Sequence, residues 1–331
     1  MSRRALLAGV ASLAVAGCRM TTPAADAIVV YCGVDEPYAR EVFADFEKQT
    51  GLHVAPQYDI EASRSVGLAG KIEAERDHPR ADVYWANEPF QNGRLATQGV
   101  LEPYVSPVAA EIPAQFKDPQ GFWTGNGLRA RVLAVSVPPP AFAITGIADL
   151  ADPRLKGKVV MSRPASGSSV AHVAALYSLW GEQKARDFFH RLRDNEITLV
   201  GGNSEVAKQV GAGNFLLGLT DNDDIADTQA NGGKLTMVIP DQGSDAQGTL
   251  AIPTTVSLVK GAKHPENAKK LIDFLIGRQT EQKLLDLKFS RWSVRSGSEG
   301  IKAMKIDYRK TVEIAAQAQK EATAILDGRE L

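Results

Sequence analysis

Cysteine is nearly absent from this chain: two residues in 331, Cys18 and Cys32. Such scarcity excludes a small disulfide-framed fold and a cysteine-rich zinc module. Charge of one sign is also lacking. The 38 Lys and Arg against 39 Asp and Glu leave a formal charge of −1, dispersed along the sequence. No basic footprint for nucleic acid results. Aromatic residues make up only 7%, which disfavours a sugar site built from stacked rings. The five histidines (53, 78, 172, 190 and 264) show no metal-ligand pairing. His172, four residues after Ser168, is expected on a helix surface. A nucleophile elbow, a P-loop and a zinc motif are all missing, so no coupled base and nucleophile can be argued and no cofactor is implied. Internal repeats and low-complexity tracts are missing too.

What is present is ordinary globular usage, 44% hydrophobic and 23% charged. At about 150 residues per domain the length predicts two domains, large enough to need no disulfide staples. The first residues are distinct. Met1-Ser2-Arg3-Arg4 precedes an apolar run from Ala5 to Ala16, the order of an export signal, and too short to span a bilayer as a mature helix. It ends in Val15-Ala16-Gly17-Cys18, which resembles the bacterial lipobox, whose cysteine is lipidated after cleavage. Residues 1–17 are therefore expected to leave and Cys18 to carry the lipid, with 18–27 as a small, polar tether. The two arginines also fit a twin-arginine route, so general secretion and twin-arginine export both stay open. Losing Arg3 and Arg4 removes two positive charges and takes the formal charge from −1 to −3. Cys32 is then left without a disulfide partner.

Strand and helix patterns alternate from residue 27. Strands are predicted over 27–31, 52–58 and 81–85, with helices over 37–50, 63–75 and 90–98 between and after them. A second block follows: strands over 129–137, 159–161 and 215–220, and helices over 168–180, 185–194 and 203–210. A long extended segment over 249–259, a helix over 265–276 and an amphipathic region over 303–326 complete the chain. Repeated βα units predict an α/β fold of mostly parallel sheets flanked by helices. The long strands near 130 and 255 bracket the middle block, so the two lobes are interleaved. Residues 28–128 and 254–300 form the first, 129–253 and 301–331 the second, and the C-terminal helices pack across both. Ligand belongs in the crevice outside the strand C-termini.

Four segments, in this order and spacing, resemble a known family. They are Gly121-Phe122-Trp123-Thr124-Gly125 followed by Arg129-Ala130-Arg131-Val132, then Asp149–Val159, Arg163-Pro164-Ala165-Ser166-Gly167-Ser168-Ser169, and Gly213–Leu219. The chain resembles type II periplasmic solute-binding proteins of ABC importers, in the ferric-iron-binding branch. The resemblance implies a two-lobed fold hinged at crossing strands, an anion-binding loop at Arg163–Ser169, and a monomer working with a membrane permease and its ATPase. One departure concerns the ligand. The iron-binding members place two adjacent tyrosines after the Gly-Leu strand, where this chain has Asp223 and Asp224. They often supply a histidine after the first strand, and Tyr31–Glu36 contains none. The usual ferric site is not supported.

The candidate ligand residues follow. Ser166, Gly167 and Ser168 precede an apolar helix, so its unpaired N–H groups suit a phosphate, phosphonate or carboxylate, while simple N-capping is the competing reading. Asp221, Asp223 and Asp224 crowd three acids into four residues, fitting an ammonium group, a hard metal ion held by Asp223 and Asp224, or an acidic turn that caps the next helix. Cys32, Asp35, Asp59, Asn87 and Glu88 each follow a predicted strand and sketch the first lobe's wall. Cys32 is a small buried residue or a reactive thiol. Arg129 and Arg131 place a guanidinium where it either holds an anion or makes a structural ion pair. The expected function is a lipid-anchored solute-binding protein on the periplasmic face of a bacterial membrane. Its solute is an aminophosphonate-like zwitterion or ferric iron with a bound anion. A sensory partner of a membrane receptor is the alternative, and an extracytoplasmic enzyme using Cys32 a more distant one.

Overall fold

The computed structural model describes residues 26–59, 66–296 and 300–329. The expected leader, Cys18, and the tether up to residue 25 lie outside the described residues. Apolar runs start the chain as strands. Ile28–Cys32 (β1) lies between Val54–Tyr58 (β2) and Val83–Ala86 (β3), parallel to both. The helix Glu36–Thr50 (α1) buries Ala39, Val42, Phe43 and Phe46 at helical spacing and stops at Gly51, whose φ of 70 no β-branched residue tolerates. Helices Val66–Ala74 (α2) and Pro89–Thr97 (α3) follow β2 and β3, and Leu101–Glu102 (β4) is a short edge piece.

Thr124–Ser136 (β5) is buried along its whole length and passes through both halves of the molecule. Residues 124–130 pair antiparallel with Ala251–Val259 (β10), residues 131–135 with Leu217–Asp221 (β8), and residues 133–136 with Leu235–Val238 (β9). Val159–Ser162 (β6) and Thr198–Val200 (β7) complete the second half, giving the order β2-β1-β3-β10-β5-β8-β6-β7, with β4 on β10 and β9 on β5. Parallel pairing holds within β2-β1-β3 and β8-β6-β7, and the strands that cross between them pair antiparallel.

The predicted strand at 129 thus starts five residues early. The strand reaches this far back because glycine at 125 and 127 allows a close backbone approach and a bulge, where the pairing with β10 shifts register at Gly127. A Cβ on Gly125 would sit 2.7 Å from the Phe116 carbonyl, and Gly127 lies in the left-handed region at φ 57 against Ser290.

The second half adds the helices Gly167–Trp180 (α4), Glu182–Asp194 (α5), Asn203–Gly211 (α6) and Asn222–Ala230 (α7). Helices Pro265–Leu275 (α8) and Arg278–Asp286 (α9) then return to the first half, and Tyr308–Leu326 (α10) closes the chain. The major cores are separate. Phe46, Trp85, Leu271 and Phe289 belong to the first half; Phe188, Phe189, Leu192 and Ile325 belong to the second. Helix α10 packs mainly on α4 and α5, and its first turn reaches α3, where Tyr308 stands edge-on between Phe90 and Trp123. Strands β7 and β9 and helix α9 had no expectation in the sequence. Each is short, and α9 is strongly charged.

Candidate functional site

Arg129 and Arg131 sit where β5 changes partner from β10 to β8. Residues two apart on a strand share a face, so both guanidiniums converge on one carboxylate. Arg131 Nη1 is 2.8 Å from Asp221 Oδ1, and Arg129 Nη1 is 3.1 Å from Asp221 Oδ2. The same Arg129 nitrogen reaches Asp223 Oδ2 at 3.3 Å, while Nη2 donates to the Asn87 carbonyl at 2.7 Å. Ser168 donates to Asp221 Oδ2 at 2.6 Å. Asn203 receives Arg131 on its Oδ1 at 2.9 Å and donates through Nδ2 to Ser168 at 2.8 Å. All of these side chains except Asn203 are buried.

Three helices begin around this cluster. Helix α4 opens at Ser166, α6 at Gly202 and α7 at Asp221. Gly167, the first residue of α4, takes φ 54, a conformation that turns the chain sharply and costs a residue with a Cβ about 1–2 kcal/mol. Each N-terminus presents partial positive charge. A polar crevice runs between them, lined by Ser166–Ser169, Gly201–Asn203, Arg129, Asn87 and the three aspartates.

The carboxylates divide in character. Burial pushes Asp221 up, but the Arg131 and Arg129 charges outweigh it and hold its pKa below the ordinary range. Asp223 is pushed up to about 6 by burial, only partly offset by Arg129 and reinforced by Asp221. Asp224 is raised well above its usual value by burial and by its two acidic neighbours. It accepts from Thr220 Oγ1 at 3.0 Å and from the Asp221 N–H at 3.3 Å, which closes the first turn of α7. The acidic-turn reading therefore holds for Asp221 and Asp224, which are tied into the fold, and Asp223 is the carboxylate with least support.

Oxygens of Asp221, Asp223 and Asp224 lie within 4.8 Å of one another. Two of these carboxylates already hold Arg129, and a guanidinium inside the cluster repels a highly charged cation. A metal ion as cargo would have to displace it.

The other predicted residues are dispersed. Asn87 joins the crevice through its carbonyl. Glu88 instead caps α3, accepting from the Phe90 and Gln91 N–H groups, and burial lifts its pKa to about 7. Asp59 accepts from the Leu68 N–H at 3.2 Å, opening α2. Asp35 is the N-cap of α1. Cys32 is fully buried, its Sγ 3.5 Å from the Val34 carbonyl. His172 does not lie on a helix surface. It is 2% exposed, because α4 is buried on nearly every side, and burial, aided by Arg131, lowers its pKa to about 3.

Sequence reasoning missed Asn203, Tyr38 and Phe289. Gly201-Gly202-Asn203 before an apolar-spaced helix was a usable N-terminal signal for the first. The other two had none. The Phe289 ring carries the Arg129 guanidinium at 5.1 Å and packs on Tyr38 at 5.0 Å, a contact made by residues far apart in the chain.

Residues 28–286 match the family described as bacterial extracellular solute-binding protein, and the chain belongs to that family. It is an extracytoplasmic solute-binding protein. It is 25% identical over 255 residues to iron uptake protein A1 of Synechocystis sp., covering 73% of this chain and 68% of that one. It is 23% identical over 297 residues to a putative 2-aminoethylphosphonate-binding periplasmic protein of Salmonella typhimurium, covering 89% and 81%. Among solved structures, iron-bound HitA from Pseudomonas aeruginosa superposes with a TM-score of 0.79 at 22% identity, covering 89% of this chain and 99% of that one. This likeness establishes the two-lobed fold.

Proposed function

We propose that this protein captures a small anion-bearing solute, with an aminophosphonate-like zwitterion as the best fit, and delivers it to an ABC importer from a lipid anchor at Cys18. One observation carries the reading. Three helix N-termini and a buried guanidinium line one crevice, with the poorly compensated Asp223 carboxylate beside them. An anionic group suits the helix ends. An ammonium group suits Asp223, and by pairing with it would remove the penalty of its burial. The relative named for 2-aminoethylphosphonate supports the same solute class. The protein acts as a monomeric binder and not as an enzyme; Cys32 is buried and does not line the crevice.

A second reading, ferric iron with a bound anion, draws on the 4.8 Å carboxylate cluster and on the iron-named relatives. Arg129 weighs against it. Calorimetric titration with 2-aminoethylphosphonate, inorganic phosphate and ferric citrate separates the two. Tight binding of the aminophosphonate supports the first reading. Binding of ferric citrate alone overturns it, and carboxylate ligation would then give no tyrosinate charge-transfer colour.

A further inference from the structure

Arg129 is the residue through which the first half of the molecule reaches the crevice. Among the described residues Asn87 is the one from β1–α3 in the lining, and its carbonyl is held by Arg129 Nη2 at 2.7 Å. Asn87 is itself fixed to its own half. The next residue, Glu88, offers its carbonyl to Thr255 Oγ1 at 2.9 Å, and Asn92 bonds Thr255 at 3.0 Å from within α3. The other guanidinium nitrogen, Nη1, faces the second half and is divided between Asp221 and Asp223 at 3.1 to 3.4 Å. The longer, split contacts are to Asp223. The Asp221 carboxylate has three further donors, Arg131, Ser168 and Asn203, and does not depend on Arg129.

We propose that Arg129 is a positioning residue that ties solute capture to lobe closure: an anion in the crevice takes Nη1 over from Asp223, while Nη2 keeps hold of the Asn87 carbonyl. The solute is then joined to the first half through a side chain of the crossing strand. Release of Asp223 at the same step leaves that carboxylate open to a solute ammonium group. The two ends of a zwitterion therefore help one another bind, and a plain anion works against Asp223. This inference rests on the anion-binding reading above.

The mature full-length chain is titrated with inorganic phosphate by calorimetry, and its radius of gyration is followed by small-angle X-ray scattering with and without saturating phosphate. Asp223→Asn, which frees Nη1 from its competitor, is expected to bind phosphate about fivefold more tightly. Asp227→Asn removes the same charge from an exposed site on α7 and is expected to leave phosphate affinity unchanged. Arg129→Lys keeps a positive charge but cannot span both halves. It is expected to bind within about tenfold of the parent and to contract no further on saturation. Unchanged or weaker phosphate binding by Asp223→Asn overturns the proposal. So does an equal gain in Asp227→Asn, or full contraction of Arg129→Lys. Should the lysine variant fail to fold, the two aspartate variants decide alone. Phosphate binding by the parent with these failures rejects the Arg129 role only; absence of any anion binding by the parent rejects the anion reading with it.

Discussion

Arg131 and Asp221 are directly opposite one another in the β5–β8 ladder, and their side chains close a 2.8 Å ion pair with neither group exposed to solvent. The pair is set by strand register. A buried pair of this kind adds little net stability over an apolar replacement, but removing one partner strands the other charge. Asp221→Ala is expected to lose about 3–5 kcal/mol, read as a fall in the urea midpoint. Replacing both residues, Arg131→Met with Asp221→Leu, is expected to lose far less than the sum of the single changes. Additive losses in that double-mutant cycle would show that the two charges do not interact.

Asp223 gives the native state an unusual pH dependence. Its pKa is raised from 3.8 to about 6, with burial the main cause. The folded protein thus keeps this proton where the unfolded chain has lost it. Unfolding releases a proton across that window, and stability falls as pH rises through it. Asp224 pushes in the same direction and Asp221 in the opposite one, so the variant must be compared with the parent. Asp223→Asn is expected to be more stable than the parent at pH 7.5, with the gain shrinking to nothing near pH 4 in urea titrations across that range. A gain of constant size would mean that Asp223 stays ionised throughout.

The loop that opens α4 has its own backbone requirement. Gly167 occupies the left-handed region at φ 54 as the first residue of α4. Gly167→Ala is expected to cost about 1–2 kcal/mol and, by turning the first N–H groups away from the crevice, to weaken phosphate binding by about tenfold. Thermal melts follow the first effect and calorimetry the second. Retained phosphate affinity in a folded Ala variant would move the anion away from this helix end.

Much of this was legible in sequence, for local reasons. Apolar spacing in Ala39, Val42, Phe43 and Phe46 marks α1, and Gly51 marks its end. The helix start near Ser166–Ser168 reads correctly because it is a local event, although the Ser166 side chain makes no capping bond. What sequence could not show is pairing at distance. Arg129 and Arg131 were recognisable as two arginines on one strand, but their shared carboxylate lies about ninety residues further on. His172 was misplaced for the same reason: α10 and α5 cover its helix, and the charges it feels are those of Arg131 on β5 and Asp221 on β8. Asp59 and Glu88 carry ordinary strand-tip signatures, and those positions serve equally well to cap the helices that follow.

Cys32 tests the boundary between a binding protein and an enzyme on this fold. It ends β1, is fully buried and donates to the Val34 carbonyl. A thiol reacts as the thiolate and only where a reagent can reach it, and full burial opposes that access. In a Cys18→Ser chain, where Cys32 is the only thiol, a colorimetric disulfide reagent is expected to leave the native protein unmodified for hours and to label one equivalent on denaturation. Saturating 2-aminoethylphosphonate should not change the native rate, because the crevice lining does not include this residue. Fast labelling of the folded protein, suppressed by ligand, would place the thiol at the solute site and revive a catalytic role for it.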